Sequence, residues 1–272
     1  SEYLRKIASG DYSLDVRENV EGELSILKNE IYKVTLRLSE QRLLLEKDKT
    51  KLTEAISDIS HQLKTPITSM MVMVELLANP DLPKEKRVQF TQKLLLQLER
   101  MDWLVSSLLK LAKIDAGTAN FKHERVSVKT LIDLATEPML IQMDIKNQTL
   151  EVSGDEKTSF TGDLKWTIEA IVNILKNCIE HTPEGGKISI RYEENSLYTL
   201  IEIQDNGKGI PREDLPHIFK RFYKGKNAGS ESVGIGLAMA HSIVKNQMGT
   251  LEVHSIEGEG TKFYIKFFKQ VI

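Results

Sequence analysis

Apolar side chains recur in alternating steps of three and four from Leu24 to Ile59: Leu24, Leu27, Ile31, Val34, Leu38, Leu45, Leu52, Ala55 and Ile59, with Gln41 and Asp48 as polar members. This is a heptad seam, the pattern of a helix that meets another helix along its length. No proline interrupts residues 1–65, and the pattern continues through Leu63, Ile67, Met70, Val74 and Leu77, so one very long helix is predicted. Asn79-Pro80-Asp81-Leu82-Pro83 ends it, because proline lacks a donor and restricts its predecessor. A second helix is predicted from Lys84 to Ala116, apolar at Phe90, Leu94, Leu98, Met101, Val105, Leu108 and Ala112, with Gly117 as its stop. Two antiparallel helices enclose no core by themselves, whereas two hairpins do, as a four-helix bundle. A homodimer is therefore expected; the alternative is a hairpin packed on its own C-terminal domain.

The pattern changes near Thr118. Lys187–Tyr192, Tyr198–Gln204, Thr250–Ser255 and Thr261–Phe268 read as strands, and Asp163–His181 and Val233–Gln247 as helices. Strands mixed with helices imply a layered α/β domain. Residues 211–232 are rich in charge, glycine and proline, and a loop of that length in a compact domain is usually functional. The formal net charge of -2 implies no electrostatic footprint for nucleic acid. A single cysteine, Cys178, excludes a disulfide within the chain, fits a reducing compartment and reads as buried packing. No segment approaches the roughly 18 consecutive apolar residues that a membrane-spanning helix needs. No signal peptide is expected from the polar residues that follow Ser1, and a piece of a longer, membrane-anchored protein is a further expectation.

Ser60-His61-Gln62-Leu63-Lys64-Thr65-Pro66 lies inside the seam. His61 is two residues from both Ile59 and Leu63, so at about 100° per residue it points roughly 200° away from the apolar stripe. An exposed histidine alone means little. Pro66, however, removes the helical hydrogen bond to the Gln62 carbonyl and kinks the chain just after the histidine, a cost that invites a functional explanation. An imidazole with an ordinary pKa near about 6.5 offers an unprotonated ring nitrogen at neutral pH and can accept a phosphoryl group.

Four further segments carry possible chemistry. Asn173 and Asn177 are four residues apart on a predicted helix and share a face; an amide oxygen suits Mg²⁺, although such a pair alone points first to structural hydrogen bonding. Asp205-Asn206-Gly207-Lys208-Gly209 follows a strand. Its carboxylate can accept the amino group of adenine and would repel the carbonyl of guanine, while the glycines admit close backbone approach; a plain Asp-Asn-Gly turn is the simpler reading. Gly234-Ile235-Gly236-Leu237 opens a helix, where free N–H groups favour phosphate. Gly258-Glu259-Gly260-Thr261 fits an ordinary hairpin.

His61, Leu63, Lys64, Thr65 and Pro66 closely resemble the phosphoacceptor box of sensor histidine kinases, in which a carboxylate usually stands where this chain has Gln62. The four C-terminal segments, in this order and spacing, resemble the Bergerat-type ATP fold of histidine kinases, gyrase-type ATPases and related chaperones. Asn173 and Asn177 match the N box, Asp205, Gly207 and Gly209 the first glycine box, and Gly234 and Gly236 the second. Phe219-Lys220-Arg221-Phe222-Tyr223 resembles the F box that the other branches lack. The resemblance implies a multidomain chain of α and α+β type: a long helical hairpin forming a dimeric four-helix bundle, then an α/β sandwich. The implied divisions are a signal-relay helical linker at 1–50, a dimerisation and phosphotransfer domain at 51–116, a hinge at 117–125 and an ATP-binding domain at 126–272.

On this resemblance the chain is an ATP-dependent protein-histidine kinase that phosphorylates His61, passes the group to an aspartate of a response regulator, and also dephosphorylates that regulator. Gln62 and Thr65 flank the acceptor. Asn177 holds Mg²⁺, Asp205 binds adenine and Thr261 lies near the base. Residues 211–232 form a lid, from which Arg221, Lys224 and Lys226 reach phosphate. Lys176, His181, Phe219, Tyr223 and Leu237 complete the ATP pocket. Asn173 stands where gyrase-type ATPases carry a water-activating glutamate, and Glu169, one turn back, is expected to face elsewhere. The ATP-binding part is expected to swing to bring phosphate to His61. Expected partners are a second protomer and a response regulator, at the cytoplasmic side of a membrane, with Ile7-Ala8-Ser9-Gly10-Asp11-Tyr12 faintly resembling linkers that follow a membrane helix. A Bergerat-fold ATPase or serine kinase, and a non-catalytic ATP-gated scaffold, are the alternatives.

Overall fold

The computed structural model describes residues 23–225 and 233–269. Lys226 and the residue 7–12 segment fall outside them. Helix α1 spans Glu23–Leu77 with Pro66 in its interior, and α2 spans Lys84–Asp115. Asn79 turns the chain between them by accepting the Asp81 N–H at 3.0 Å, and the Arg87 guanidinium caps the end of α1 through the Leu77 carbonyl at 2.9 Å. Two compact units divide between Thr65 and Pro66.

In the first unit, α1 carries its seam on the surface: Val34, Leu38 and Leu45 are 53%, 45% and 71% exposed. Among the described residues nothing covers them.

In the second unit, α2 has two apolar faces. Leu104, Leu111 and Ile114, only 1–3% exposed, pack with Ser107 against the C-terminal layers. The stripe predicted from periodicity is the other face, where Leu98 and Val105 are 48% and 43% exposed. The hairpin packed on its own C-terminal domain thus describes one face of α2, and the predicted stripe is exposed.

The α/β part begins within the segment expected to be a hinge. The Lys122 N–H donates to Asp163 Oδ2 at 3.0 Å, and strand β1 (Glu124–Ser127) pairs antiparallel with β3 (Ser159–Gly162). Helix α3 (Val128–Thr136) is N-capped by Ser127, and a 3₁₀ turn leads to the short α4 (Leu140–Ile145). The main sheet has five strands in the order β2-β4-β5-β7-β6: β2 (Thr149–Gly154), β4 (Lys187–Glu194), β5 (Tyr198–Asp205), β7 (Gly260–Phe268) and β6 (Gly249–Ile256). Only the β2–β4 pair is parallel.

Helices α5 (Leu164–His181) and α6 (Gly236–Asn246) lie side by side. Asp163 caps α5 by accepting the Trp166 N–H at 3.0 Å. Strand alternation turns Ile188 and Ile190, Ile201 and Ile203, Phe263 and Ile265 inward, and these meet Ile171, Ile174, Leu175, Ile243 and Val244 of the helices in a buried core. The same alternation places Asp205, last in the series Thr199, Ile201, Ile203, on the buried face. A charged group is thereby carried to the rim of an apolar core.

Candidate active site

His61 lies on an exposed turn of α1 in the first unit, as its offset from the seam predicts. Gln62 is half-buried beside it, and the Thr65 hydroxyl donates to the His61 carbonyl at 3.3 Å. Pro66 has no N–H to return to Gln62, so the backbone just after the histidine lacks one helical bond.

The second unit holds a cleft of about 880 Å³. Its floor is one face of α5, with Asn173, Lys176, Asn177 and His181. Gly209, Tyr223, Lys224, Gly234, Gly236, Leu237 and Thr261 supply the facing walls. Asp205, 3% exposed, lies directly behind this lining. Its Oδ1 accepts the Gly207 N–H at 2.9 Å and the Thr261 N–H at 3.3 Å, and the fully buried Cys178 thiol also hydrogen-bonds the carboxylate. Burial raises the Asp205 carboxyl above its ordinary range against the pull of these donors. It also pushes the Cys178 thiol well up, which keeps it a protonated donor. Cys178 is therefore packed, as expected, and in addition orients the carboxylate.

Two glycines set the cleft's shape. Gly209 has φ +68, and a Cβ there would overlap the Ile256 carbonyl; Gly234 has φ +76, and a Cβ would overlap the Tyr223 carbonyl. The first lets the loop after β5 press on the β6–β7 turn. The second closes the base of the lid, where the Phe222 N–H donates to the Gly234 carbonyl at 2.8 Å. The lid is held further by the Tyr223 hydroxyl, which donates to Asp214 Oδ1 at 2.7 Å.

Asn173 is 5% exposed, and its amide donates to the Glu169 carbonyl at 2.8 Å. Glu169 faces away from the cleft and pairs with Lys110 of α2 at 2.8 Å. His181 is driven toward its neutral form by burial.

Four expected pocket residues are not in the lining: Asp205 and Gly207 lie behind it, joined by the Gly207 N–H, and Phe219 and Arg221 lie elsewhere. Arg221 forms an ion pair with Asp115 at the end of α2, and Phe219 stacks on the His241 ring at 5.0 Å. The cause is local: Phe222 adopts φ +60, which turns the chain so that Tyr223 and Lys224 enter the cleft while Phe219 and Arg221 point out. Sequence reasoning also missed a wall. Leu96, Glu99, Arg100 and Trp103 of α2 line the cleft, and Trp103 lies over Lys176 with the ammonium 6.0 Å from the ring centroid. Trp103, the one tryptophan of that helix, was the available signal.

Comparison with known proteins agrees with this geometry. Residues 51–117 match the His Kinase A phospho-acceptor domain, and residues 162–271 match the histidine kinase-, DNA gyrase B- and HSP90-like ATPase. The chain is 31% identical over 265 residues to the sensor histidine kinase YclK of Bacillus subtilis, covering 96% of this chain and 56% of that protein. It is 30% identical to the sensor histidine kinase WalK of the same organism, covering 79% of this chain and 36% of WalK. It is 29% identical to the histidine-protein kinase/phosphatase MprB of Mycolicibacterium vanbaalenii, covering 80% and 46%. The chain thus spans about half the length of the curated relatives it matches. Among solved structures, the histidine kinase AdeS of Acinetobacter baumannii shares the fold at a TM-score of 0.66 and 24% identity, covering 78% of this chain and 98% of AdeS. The histidine kinase ThkA, solved with a response regulator protein, shares it at 0.63 and 20%, covering 93% and 68%. With a phospho-acceptor domain followed by this ATPase domain, the chain belongs to the sensor histidine kinases of two-component systems.

Proposed function

We propose that this chain transfers the γ-phosphoryl group of ATP to His61 and then to an aspartate of a response regulator, and that it also dephosphorylates that regulator. The observation that carries the reading is the pairing, in one chain, of an exposed histidine before a helix-interior proline with a cleft built around Asp205 and Asn177. The residues present fit Mg-ATP. The cleft has the volume of a nucleotide site. Asp205 offers adenine an acceptor held in one orientation. Among the described residues no cluster of three or more His, Cys, Asp or Glu side chains is arranged for a metal, so Mg²⁺ would rest on the Asn177 amide oxygen, water and phosphate oxygens.

Bound Mg-ATP supplies the phosphoryl group. Lys176 and Lys224 present positive charge where phosphate charge accumulates, which is most of what this transfer requires. Asn173 has no proton-accepting group, so water in the cleft is not activated from that position. At His61 the unprotonated ring nitrogen attacks, and Gln62 orients the ring through its amide oxygen without adding charge.

The domain plan belongs to the same proposal: a relay helix to about residue 50, a dimerising phosphoacceptor hairpin at 51–116, a hinge at 117–125 and an ATP-binding domain from 126. The protein acts as a homodimer at the cytoplasmic side of a membrane. Among the described residues no helix is long and apolar enough to cross one, so the anchor is assigned to sequence outside these residues. MprB's kinase/phosphatase designation supports the dual activity, and ThkA's solved complex with a response regulator protein supports that partner. Incubation with γ-labelled ATP tests the reading: an acid-labile, base-stable label is expected on the protein. Release of free phosphate without label would indicate an ATPase, and an acid-stable label a serine kinase.

A further inference from the structure

Strand register places three polar residues in one row at the end of the main sheet: Asp205 of β5 stands opposite Thr261 of β7, and Thr261 opposite Ser255 of β6. Thr261 is buried and lines the cleft, and its N–H donates to Asp205 Oδ1. Ser255 is half-buried, one strand further from Asp205. Three partners meet its hydroxyl: the Ile210 N–H donates to Oγ at 2.8 Å, the Gly260 carbonyl lies 2.8 Å from Oγ, and Thr261 Oγ1 lies 3.0 Å from it. A serine hydroxyl has a single proton and two lone pairs. A carbonyl oxygen only accepts, so the Ser255 proton goes to Gly260. The lone pairs of Ser255 then take the Ile210 N–H and the Thr261 O–H. The Thr261 proton is thereby committed, and its hydroxyl has only lone pairs left for the cleft.

We propose that Ser255 is a positioning residue for base selection: by taking the Thr261 proton it makes Thr261 meet the nucleotide base as an acceptor only. The inference rests on the reading of this cleft as an ATP site. Asp205 and Thr261 then form two acceptors side by side, which suits an amino group with protons to give. A purine with a carbonyl in that place sets oxygen against oxygen and receives no hydrogen bond from Thr261. His181 and Lys208 also line the cleft and can donate, so selection is read as a ratio between two bases, in variants that keep both of these residues.

The test is calorimetry on the full chain with Mg-ATP and Mg-ITP, whose bases carry an amino group and a carbonyl on the same purine carbon. The parent should prefer ATP. Ser255→Ala lets the Thr261 hydroxyl turn and donate, so that preference should narrow on the order of tenfold. Ser255→Thr keeps the hydroxyl and should hold the parent's ratio within about twofold. A parent ratio retained in Ser255→Ala would overturn the proposal, even where both affinities fall, because equal losses mean only that the strand end has loosened. An equal narrowing in Ser255→Thr would overturn it too, since the hydroxyl would then not be the cause. Thr261→Val keeps the N–H to Asp205 and all of β6, and covers the case in which Ser255→Ala fails to fold: the same narrowing is expected, and an unchanged ratio overturns the proposal. A parent that binds neither nucleotide removes the ATP-site reading and the proposal with it. A parent that binds ATP without preferring it, or keeps its preference in Ser255→Ala, removes the Ser255 assignment alone.

Discussion

A carboxylate at the rim of an apolar core is expensive to keep charged, and Asp205 is held there by two backbone N–H groups and a thiol. Its raised pKa has opposite consequences for binding and for stability. Binding needs the ionised form as acceptor, so affinity for ATP should begin to fall on acidification at a higher pH than an ordinary aspartate would allow. Stability runs the other way. In the window between the unfolded and the raised folded pKa the native state binds the extra proton, so Asp205 contributes less stability as pH rises through that window. Calorimetric titration of ATP across the mildly acidic range checks the first effect. Asp205→Asn should bind weakly at every pH and lose this acid-dependent decline.

At the acceptor, Gln62 brings no charge where relatives of this type usually place a carboxylate. Gln62→Glu should raise the initial rate of autophosphorylation at saturating ATP, by less than the roughly 10²-fold of a full general base. An unchanged or lower rate would show that a carboxylate is dispensable here. Thr65→Ala should reduce phosphatase activity toward the regulator and spare autophosphorylation, a split visible in paired single-turnover assays. The Thr65 hydroxyl now donates to the His61 carbonyl, and it has to turn outward to hold an attacking water.

Helix α2 is the element on which the two halves of the account meet, because its two apolar faces have different partners. Leu111→Ala removes buried packing against the C-terminal layers and should cost about 2–5 kcal/mol at any protein concentration. Leu98→Ala touches the exposed face, and its effect in chemical denaturation should depend on protein concentration, as a dimer contact requires. A concentration-independent loss at Leu98 would place that face inside the protomer.

The same helix shows where the sequence is readable. Its ends were visible in Pro83 and Gly117, and one stripe in the spacing of Leu94, Leu98, Met101 and Val105. The second stripe was hidden because Leu104, Leu111 and Ile114 also fit a regular helix, and periodicity alone does not say which of two faces is covered. The long strands β4, β5, β6 and β7 were legible within two residues from their alternation. Between Val126 and Gly162 the elements are three to nine residues long, too short for either period to emerge. In the cleft, Asn173 and Asn177 share the face of a helix whose span was legible, and Gly209, Gly234 and Gly236 stand beside element ends. Arg221 and Phe219 depend on the path of a loop through one residue at positive φ, Phe222, which composition does not reveal.

At the scale of the whole molecule, the proposed homodimer would cover the exposed seam of α1 and the exposed face of α2. Glu at both Leu63 and Leu94 would bury like charges in the centre of the proposed bundle, which costs several kcal/mol unless they are paired. Light scattering should show the double variant as a monomer that still binds ATP, because the cleft lies entirely in the second unit. A stable dimer of that variant would remove the bundle from the account.

The claim tested most directly is that His61 is the phosphoryl acceptor and the cleft a separate ATP site. The measurement is label incorporation from γ-labelled ATP into His61→Gln beside the parent chain, with Mg-ATP affinity determined on the same samples. An acid-labile label is expected on the parent, none on the variant, and ATP affinities within about twofold of each other, since acceptor and cleft use different residues. Label persisting on His61→Gln, or a parent that binds Mg-ATP and is never labelled, would contradict it.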